Sequence, residues 1–275
     1  NAMYDVLGLL AWTLDGRELP ELLRARILKP LGMDRSEPVI TLDIRERLVR
    51  NYAPFQNDRP YPRHGRLCEA PALIITSGAG CVASTAADMG AYVRMIANHG
   101  KLGAGRLVSE RAFDSFSKPH ILAEDFGPGV HYGYGVAVDT LDGNRLLRHT
   151  GGMVSFMSSM MVDIDQGIGG FASINAQQGY RPNPVVKYAI QLMRAGRKGA
   201  SLPAMPEPDD PLTVKNAADF AGDYSGDRGT LQVHAEGDRL FIADGSRRDP
   251  LERMSDADRF VARVPALDRF AFAFG

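Results

Sequence analysis

The stretch from Tyr132 to Asn175 constrains the fold of this chain more than any other. It reads YGYGVAVDTLDGNRLLRHTGGMVSFMSSMMVDIDQGIGGFASIN. Two alternating apolar runs, Met157 to Val162 and Ile168 to Ile174, flank Asp165-Gln166-Gly167, the composition of a tight turn between neighbouring antiparallel strands. A third run, Gly133 to Val138, precedes them across the turn signal Asp142-Gly143. At the junction sits His149-Thr150-Gly151-Gly152. Paired glycines at a strand edge let a ligand approach the backbone and leave N–H groups free to donate to it; the competing reading is a turn or bulge.

The 275 residues, 44% of them hydrophobic, suffice for one large core or for a core with a small appendage. A net charge of -1 and a pI near 6.7 exclude a strongly basic nucleic-acid surface. No apolar run approaches the ~20 residues of a membrane span. Cys68 and Cys81 are too few for a disulfide framework and lack metal-ligand spacing, so no metal or other cofactor is expected. Asn1-Ala2-Met3 has no basic leader character; the compartment stays open, periplasmic or secreted if upstream residues carry a signal peptide and cytoplasmic otherwise.

Helical periods punctuate the first half. Met3, Val6, Leu7, Leu10, Ala11 and Leu14 predict a helix that Asp15-Gly16 ends, and Leu19, Leu22, Leu23 and Ile27 predict a second over about 18–28, closed by Pro30-Leu31-Gly32. From Asp34 to Pro71 no period persists beyond a short helix near 42–49, so surface loops are expected, either a lid or plain connection. The apolar run Ala72 to Ile75 leads through Ser77-Gly78-Ala79-Gly80 into a helix that Thr85 caps, with Asp88 completing a capping-box pattern. Leu107 to Phe116 predicts one more helix.

Three apparent motifs fail on context. Gly78-Ala79-Gly80-Cys81-Val82-Ala83 fits GxGxxA, but no acidic strand end follows about twenty residues on. Ser115-Phe116-Ser117-Lys118 fits SxxK, yet it falls at a helix C-terminal end before Pro119, whereas activation of a serine favours the positive N-terminal end. His64, His99, His120, His131 and His234 show no paired spacing for a metal.

Five segments in order carry a resemblance. Asn1 to Leu10 looks like the helix after a YxN motif, and Ile27-Leu28-Lys29-Pro30-Leu31-Gly32-Met33 resembles a PLGM stretch. Gly80 to Met89 is similar to GGLxSTAxDL, Tyr132-Gly133-Tyr134-Gly135 to YGxG, and His149-Thr150-Gly151-Gly152 to HTGG, which stands where other members have KTG. Over roughly residues 1–195 the chain thus resembles the serine β-lactamase and penicillin-binding-protein superfamily, in its class C-like branch of esterases and D-amino-acid peptidases. The resemblance implies an α/β (α+β) fold with an antiparallel sheet flanked by helices.

It also implies roles. His149 would take the place of the KTG lysine, Thr150 would bond the substrate carboxylate or carbonyl, Gly151 would give clearance, and the N–H of Gly152 would line the oxyanion hole on an edge strand. Met153 and Tyr134 are expected against the substrate. Asn1 is either the YxN asparagine or the end of a cloning scar. A mostly neutral imidazole in place of an ammonium should hold an anionic carboxylate less strongly, which admits neutral esters and amides. In the family the SxxK serine and lysine precede YxN, so the 275 residues are expected to lack the nucleophile and to hydrolyse nothing alone, while the parent polypeptide does.

Beyond the helical stripe Pro184 to Arg194, four prolines between Arg197 and Pro211 mark a linker. Short alternating runs follow, Phe220 to Tyr224, Thr230 to Val233, Leu240 to Ala243, Phe260 to Val264 and Phe270 to Phe274, resembling a small barrel appended to β-lactamase-like esterases, cut short or open at its end. The expected organisation is a hydrolase domain over 1–196, a linker over 197–211 and a β unit over 212–275. The expected partner is a small-molecule or peptide substrate, with a homo-oligomer left open. The rival reading is a non-catalytic relative that binds a cell-wall or peptide ligand, or assembles with partners.

Overall fold

The computed structural model describes residues 1–54, 67–71, 76–153, 155–176, 181–206, 210, 212–227, 229–244, 247–254, 258–262, 267 and 271–274. The chain divides into two compact units, one of Asn1–Ala53 with Leu67–Met205, the other containing Pro206–Gly275.

In the first unit, α1 (Ala2–Asp15) ends at Gly16, whose left-handed backbone, φ 80°, lets its N–H donate to the Trp12 carbonyl. The apolar period that predicts this helix does not make a buried face of it. Gly8 is its one buried residue, and Met3, Val6, Leu7, Leu10 and Leu14 are exposed. The second predicted helix forms as α2 (Leu19–Leu23), with Pro20 in its first turn, running into a π-type turn over Arg24–Leu28. Leu28, Leu31 and Met33 then enter the core. A 3-10 helix over Leu42–Arg47 and a two-stranded ladder, β1 (Tyr52–Pro54) with β2 (Leu67–Glu69), occupy part of the expected loop region. The run Ala72 to Ile75 lies outside the described residues.

Helix α3 (Ala86–Ala97) starts where the Thr85 hydroxyl accepts the Asp88 N–H at 3.2 Å. Only half of the capping box forms. The Asp88 carboxylate accepts instead from the Arg35 N–H at 2.9 Å and the Ser36 hydroxyl at 2.7 Å, which ties the segment after Met33 to the helix start. After the ladder β3 (Lys101–Leu102) and β4 (Gly105–Arg106), α4 (Glu110–Ser117) is shorter than its predicted span, because Ser109 caps it at the Ala112 N–H and leaves Leu107 and Val108 in the preceding loop. The last helix of the unit is α5 (Asn183–Lys198).

The sheet contains β5 (Ile121–Leu122), β6 (His131–Tyr132), β7 (Ala137–Leu141), β8 (Asn144–Met153), β9 (Phe156–Asp163) and β10 (Ile168–Ile174), in the order β10-β9-β8-β7-β6-β5. Every neighbouring pair is antiparallel. Residues alternate faces along a strand, and two glycines show which helix each face meets. A β carbon at Gly169 would meet Val93 of α3, and one at Gly170 would meet Val186 of α5. The helices therefore cover opposite faces of β10. By register, Leu147, His149 and Gly151 share the α3 face, while Arg148, Thr150 and Gly152 share the α5 face.

Leu147, Val162, Val136 and Ile96 form the core on the first face, and Leu146, Met161, Val186 and Ile190 on the second. Arg194 of α5 reaches the fully buried Asp163 through Nε at 2.6 Å and Asp142 through Nη1 at 3.0 Å, pinning the helix over the sheet.

The second unit is a six-stranded meander, β11 (Gly222–Gly226), β12 (Gly229–Glu236), β13 (Arg239–Asp244), β14 (Arg247–Arg253), β15 (Arg259–Ala262) and β16 (Ala271–Ala273), paired in chain order. Strand β14 was not legible in the sequence: RRDPLER is charged and holds a proline. The rings of Tyr224, on the first strand, and Phe274, just after the last, lie 5.1 Å apart, so the sheet curls toward a half-barrel. Phe220, Val233, Leu240, Ile242, Leu251 and Phe260 fill its inside.

Candidate active site

Strand β8 brings the expected residues together, with one correction: it is not an edge strand. β9 and β7 flank it. The β7 ladder, however, ends at Ala137 opposite Arg148, and no described strand pairs with His149 to Met153 on that side. Ile164 donates its N–H to the Arg145 carbonyl at 3.2 Å, so the odd-numbered residues of β8 turn their amides toward β9. Amides alternate edges along an antiparallel strand. Thr150 and Gly152 therefore point theirs to the opposite edge, beyond the reach of β7. Gly152 is exposed and the neighbouring residues are half-buried.

The two glycines have distinct packing reasons. A β carbon at Gly151 would stand 2.4 Å from the Ser158 hydroxyl of β9, so the clearance there serves the neighbouring strand. One at Gly152 would stand 3.3 and 3.4 Å from Nη1 and Nη2 of Arg181. Arg181 also donates through Nη1 to the Gly151 carbonyl at 2.8 Å. It lies some thirty residues downstream, just before α5, with no pattern to mark it.

Nε2 of His149 stands 3.0 Å from the Tyr132 hydroxyl of β6, beyond the end of the β7 ladder. Burial holds the His149 imidazole below its ordinary pKa; a hydrogen bond to the Thr150 backbone opposes the shift, and the Arg181 charge adds to it. Burial likewise pushes the Tyr132 phenol above its ordinary value, with the Tyr4 phenol adding to the shift. Tyr132 thus holds its proton and donates it to Nε2 in the tautomer that carries the ring proton on Nδ1. Tyr4 arrives from α1: its hydroxyl lies 3.6 Å from where a β carbon would project at Gly135.

Tyr4 is set there by the turn before α3. The Asp5 carboxylate accepts from the Ser77 hydroxyl at 2.6 Å and the Gly78 N–H at 2.9 Å, and these bonds hold it below the usual carboxylate range. A β carbon at Gly78 would stand 2.1 Å from the Tyr4 carbonyl oxygen. This close approach, rather than dinucleotide binding, is what Gly78 serves.

The other expected site residues are more scattered. Tyr134 is exposed and its ring stacks on His120 at 4.4 Å, so the tyrosine that meets His149 is Tyr132. Met153 lines a shallow groove with Phe156, Ile40, Leu48, Val49 and Ala70. Asn1 precedes α1, its carbonyl accepting the Tyr4 N–H at 2.8 Å and its side chain making no cap bond. Among the described residues no cluster of three His, Cys, Asp or Glu side chains could hold a metal ion. No helix there is long and apolar enough to cross a membrane.

Among solved structures, the chain is similar to an octameric penicillin-binding protein homologue from Pyrococcus abyssi at 24% identity and a TM-score of 0.62, covering 94% of this chain and 56% of that one. A penicillin-binding protein from Bacillus halodurans matches at 19% identity and 0.51, over 70% and 52% of the two chains. A class C beta-lactamase matches at 14% and 0.51, over 68% and 54%. The chain thus spans about half the length of these structures, and the likeness is one of fold. No functionally curated protein matches the sequence. The beta-lactamase family profile matches residues 1–194, which contain α1, the sheet, the His149 to Gly152 segment and most of α5, and by that match the chain belongs to the beta-lactamase family.

Proposed function

We propose that this chain is the oxyanion-side part of an acyl-serine hydrolase acting on small esters, amides or D-amino-acid peptides, with the nucleophile supplied by parent sequence outside these 275 residues. The observation that carries the reading is the uncovered edge of β8, where the Thr150 and Gly152 N–H groups face away from β9 and no described strand takes them. A backbone N–H held rigidly by a sheet stabilises the oxyanion that forms when a serine hydroxyl adds to a carbonyl; one such donor contributes on the order of 3 kcal/mol. Water then releases the acyl group from the serine.

His149 serves in this reading as a neutral, hydrogen-bonded group rather than a cation, and Thr150 contacts the substrate. Residues 1–196 form the hydrolase-like domain, 197–211 the linker, and 212–275 an appended β unit. Among the described residues no serine hydroxyl bonds a lysine or histidine side chain: Ser36 bonds Ser84 and Asp88, and Ser77 bonds Asp5. Self-association is part of the proposal, since the Pyrococcus abyssi homologue is an octamer. Assays with a chromogenic ester and a chromogenic cephalosporin, on this chain and on one extended upstream, test it. Turnover by the extended form alone supports the reading; turnover by the short form, or by neither, overturns it.

A further inference from the structure

Helix α1 exposes more large apolar side chains than any other element among the described residues. Its less exposed positions, Tyr4, Gly8, Ala11 and Asp15, turn one narrow side to the rest of the unit. Met3, Val6, Leu7, Leu10 and Leu14 share another side, a sector about 100° wide, and stand between 50% and 79% exposed. Isolated apolar residues are ordinary on a surface, but a contiguous stripe of them marks a place where another body sits.

The spacing says what kind of body. Met3, Leu7, Leu10 and Leu14 step by four, three and four residues, the a/d seam of a coiled coil, which another helix fills. The seam is self-complementary: in an antiparallel pair of copies Met3 comes opposite Leu14 and Leu7 opposite Leu10, with the two helix dipoles running in opposite directions. No charge stands in the way. The two acidic residues of α1 are engaged within the copy, Asp5 by Ser77 and Gly78, and Asp15 by Arg17 and Arg26. At roughly 120 Å² for each side chain, the five side chains bury about 1,200 Å² over both copies, the lower end of what stable interfaces bury.

We propose that α1 is the surface through which this chain pairs with a second copy of itself, the two helices lying antiparallel across a two-fold axis. The pairing needs nothing from the acyl-transfer chemistry, and its failure leaves the hydrolase reading standing.

In sedimentation equilibrium the chain should show twice its own mass, falling toward the single mass on dilution. Leu7→Glu and Leu10→Lys should each be monomeric, because a charge in the seam meets a leucine of the other copy. Both should keep the far-UV circular dichroism of the parent chain, because each position is half-exposed within one copy. Mixed in equal amounts, the two variants should pair again, since the antiparallel register sets the introduced carboxylate against the introduced ammonium. Met3→Glu with Leu14→Lys, at the more exposed ends of the seam, takes the place of the central pair should either central variant fail to fold. A monomeric parent chain, an association that survives these substitutions, or a mixture that stays monomeric overturns the proposal.

Discussion

The Tyr132 hydroxyl stands 3.0 Å from Nε2 of His149, joining the two-residue strand β6 to β8 across β7. A phenol that keeps its proton and an imidazole that burial holds neutral are complementary when the ring carries its proton on Nδ1: the phenol donates and Nε2 accepts. Replacing Tyr132 with Phe removes a bond made to the neutral ring, so the His149 pKa should rise toward its ordinary value. Arg181→Gln should also raise it, by removing a nearby positive charge. Ring-proton titration by NMR measures both, and an unchanged pKa in Tyr132→Phe would contradict the pairing.

The same shift sets a pH dependence of stability. The folded-state pKa of His149 lies below its unfolded value of about 6.5, so as pH falls through that value the unfolded chain takes up a proton before the folded one does. The contribution is fully present above about pH 6.5 and is lost as pH falls toward the folded pKa. Urea midpoints at about pH 7.5 and about pH 5.5 should differ less in His149→Gln than in the parent chain.

Gly78 touches the backbone of Tyr4, which cannot step aside as a side chain tip could. Gly78→Ala is expected to cost about 2–3 kcal/mol and to loosen the first turn of α1. Gly80→Ala, two residues on with open space around it, should lie within about 0.5 kcal/mol of the parent. Chemical denaturation of the pair compares them, and equal losses would show that the approach to Tyr4 is not what Gly78 serves.

Arg194 is buried between Asp163 and Asp142. Arg194→Ala leaves the Asp163 carboxylate buried without its cation, although Asp163 still accepts the Asp165 and Gln166 N–H groups through its other oxygen. Breaking one side of such a pair should cost about 3–5 kcal/mol, measured by the urea midpoint.

Asp88 ties the loop at Arg35 and Ser36 to the start of α3. Asp88→Ala removes two bonds to a carboxylate and is expected to cost about 2–3 kcal/mol by the same measurement. A loss under about 0.5 kcal/mol would mean that the cap bond of Thr85 alone holds the helix start.

Strands β9 and β10 and the ends of α1 and α3 were legible in the sequence because their causes are local. Period-two alternation, the turn at Asp142-Gly143, the left-handed Gly16 and the Thr85 cap each depend on residues a few positions apart. The same local rule sets which amides face the open edge: once the odd residues of β8 turn toward β9, Thr150 and Gly152 must turn away. What the sequence could not show was how far the next strand extends, and so whether that edge was covered. Nor could it show that the stripe on α1 stays exposed, since burial depends on what arrives from elsewhere in the chain.

By itself, then, the sequence determined the two strands that follow His149 to Gly152 and the turn between them, because a pleated backbone repeats every two residues. Only the tertiary structure decided the company those residues keep: Tyr132 from β6 against His149, Tyr4 from α1 against Tyr132, and Arg181 beside Gly151 and Gly152. Each of these contacts joins residues at least 17 positions apart. Such contacts follow from how sheet and helices pack, and no local pattern of residues encodes them.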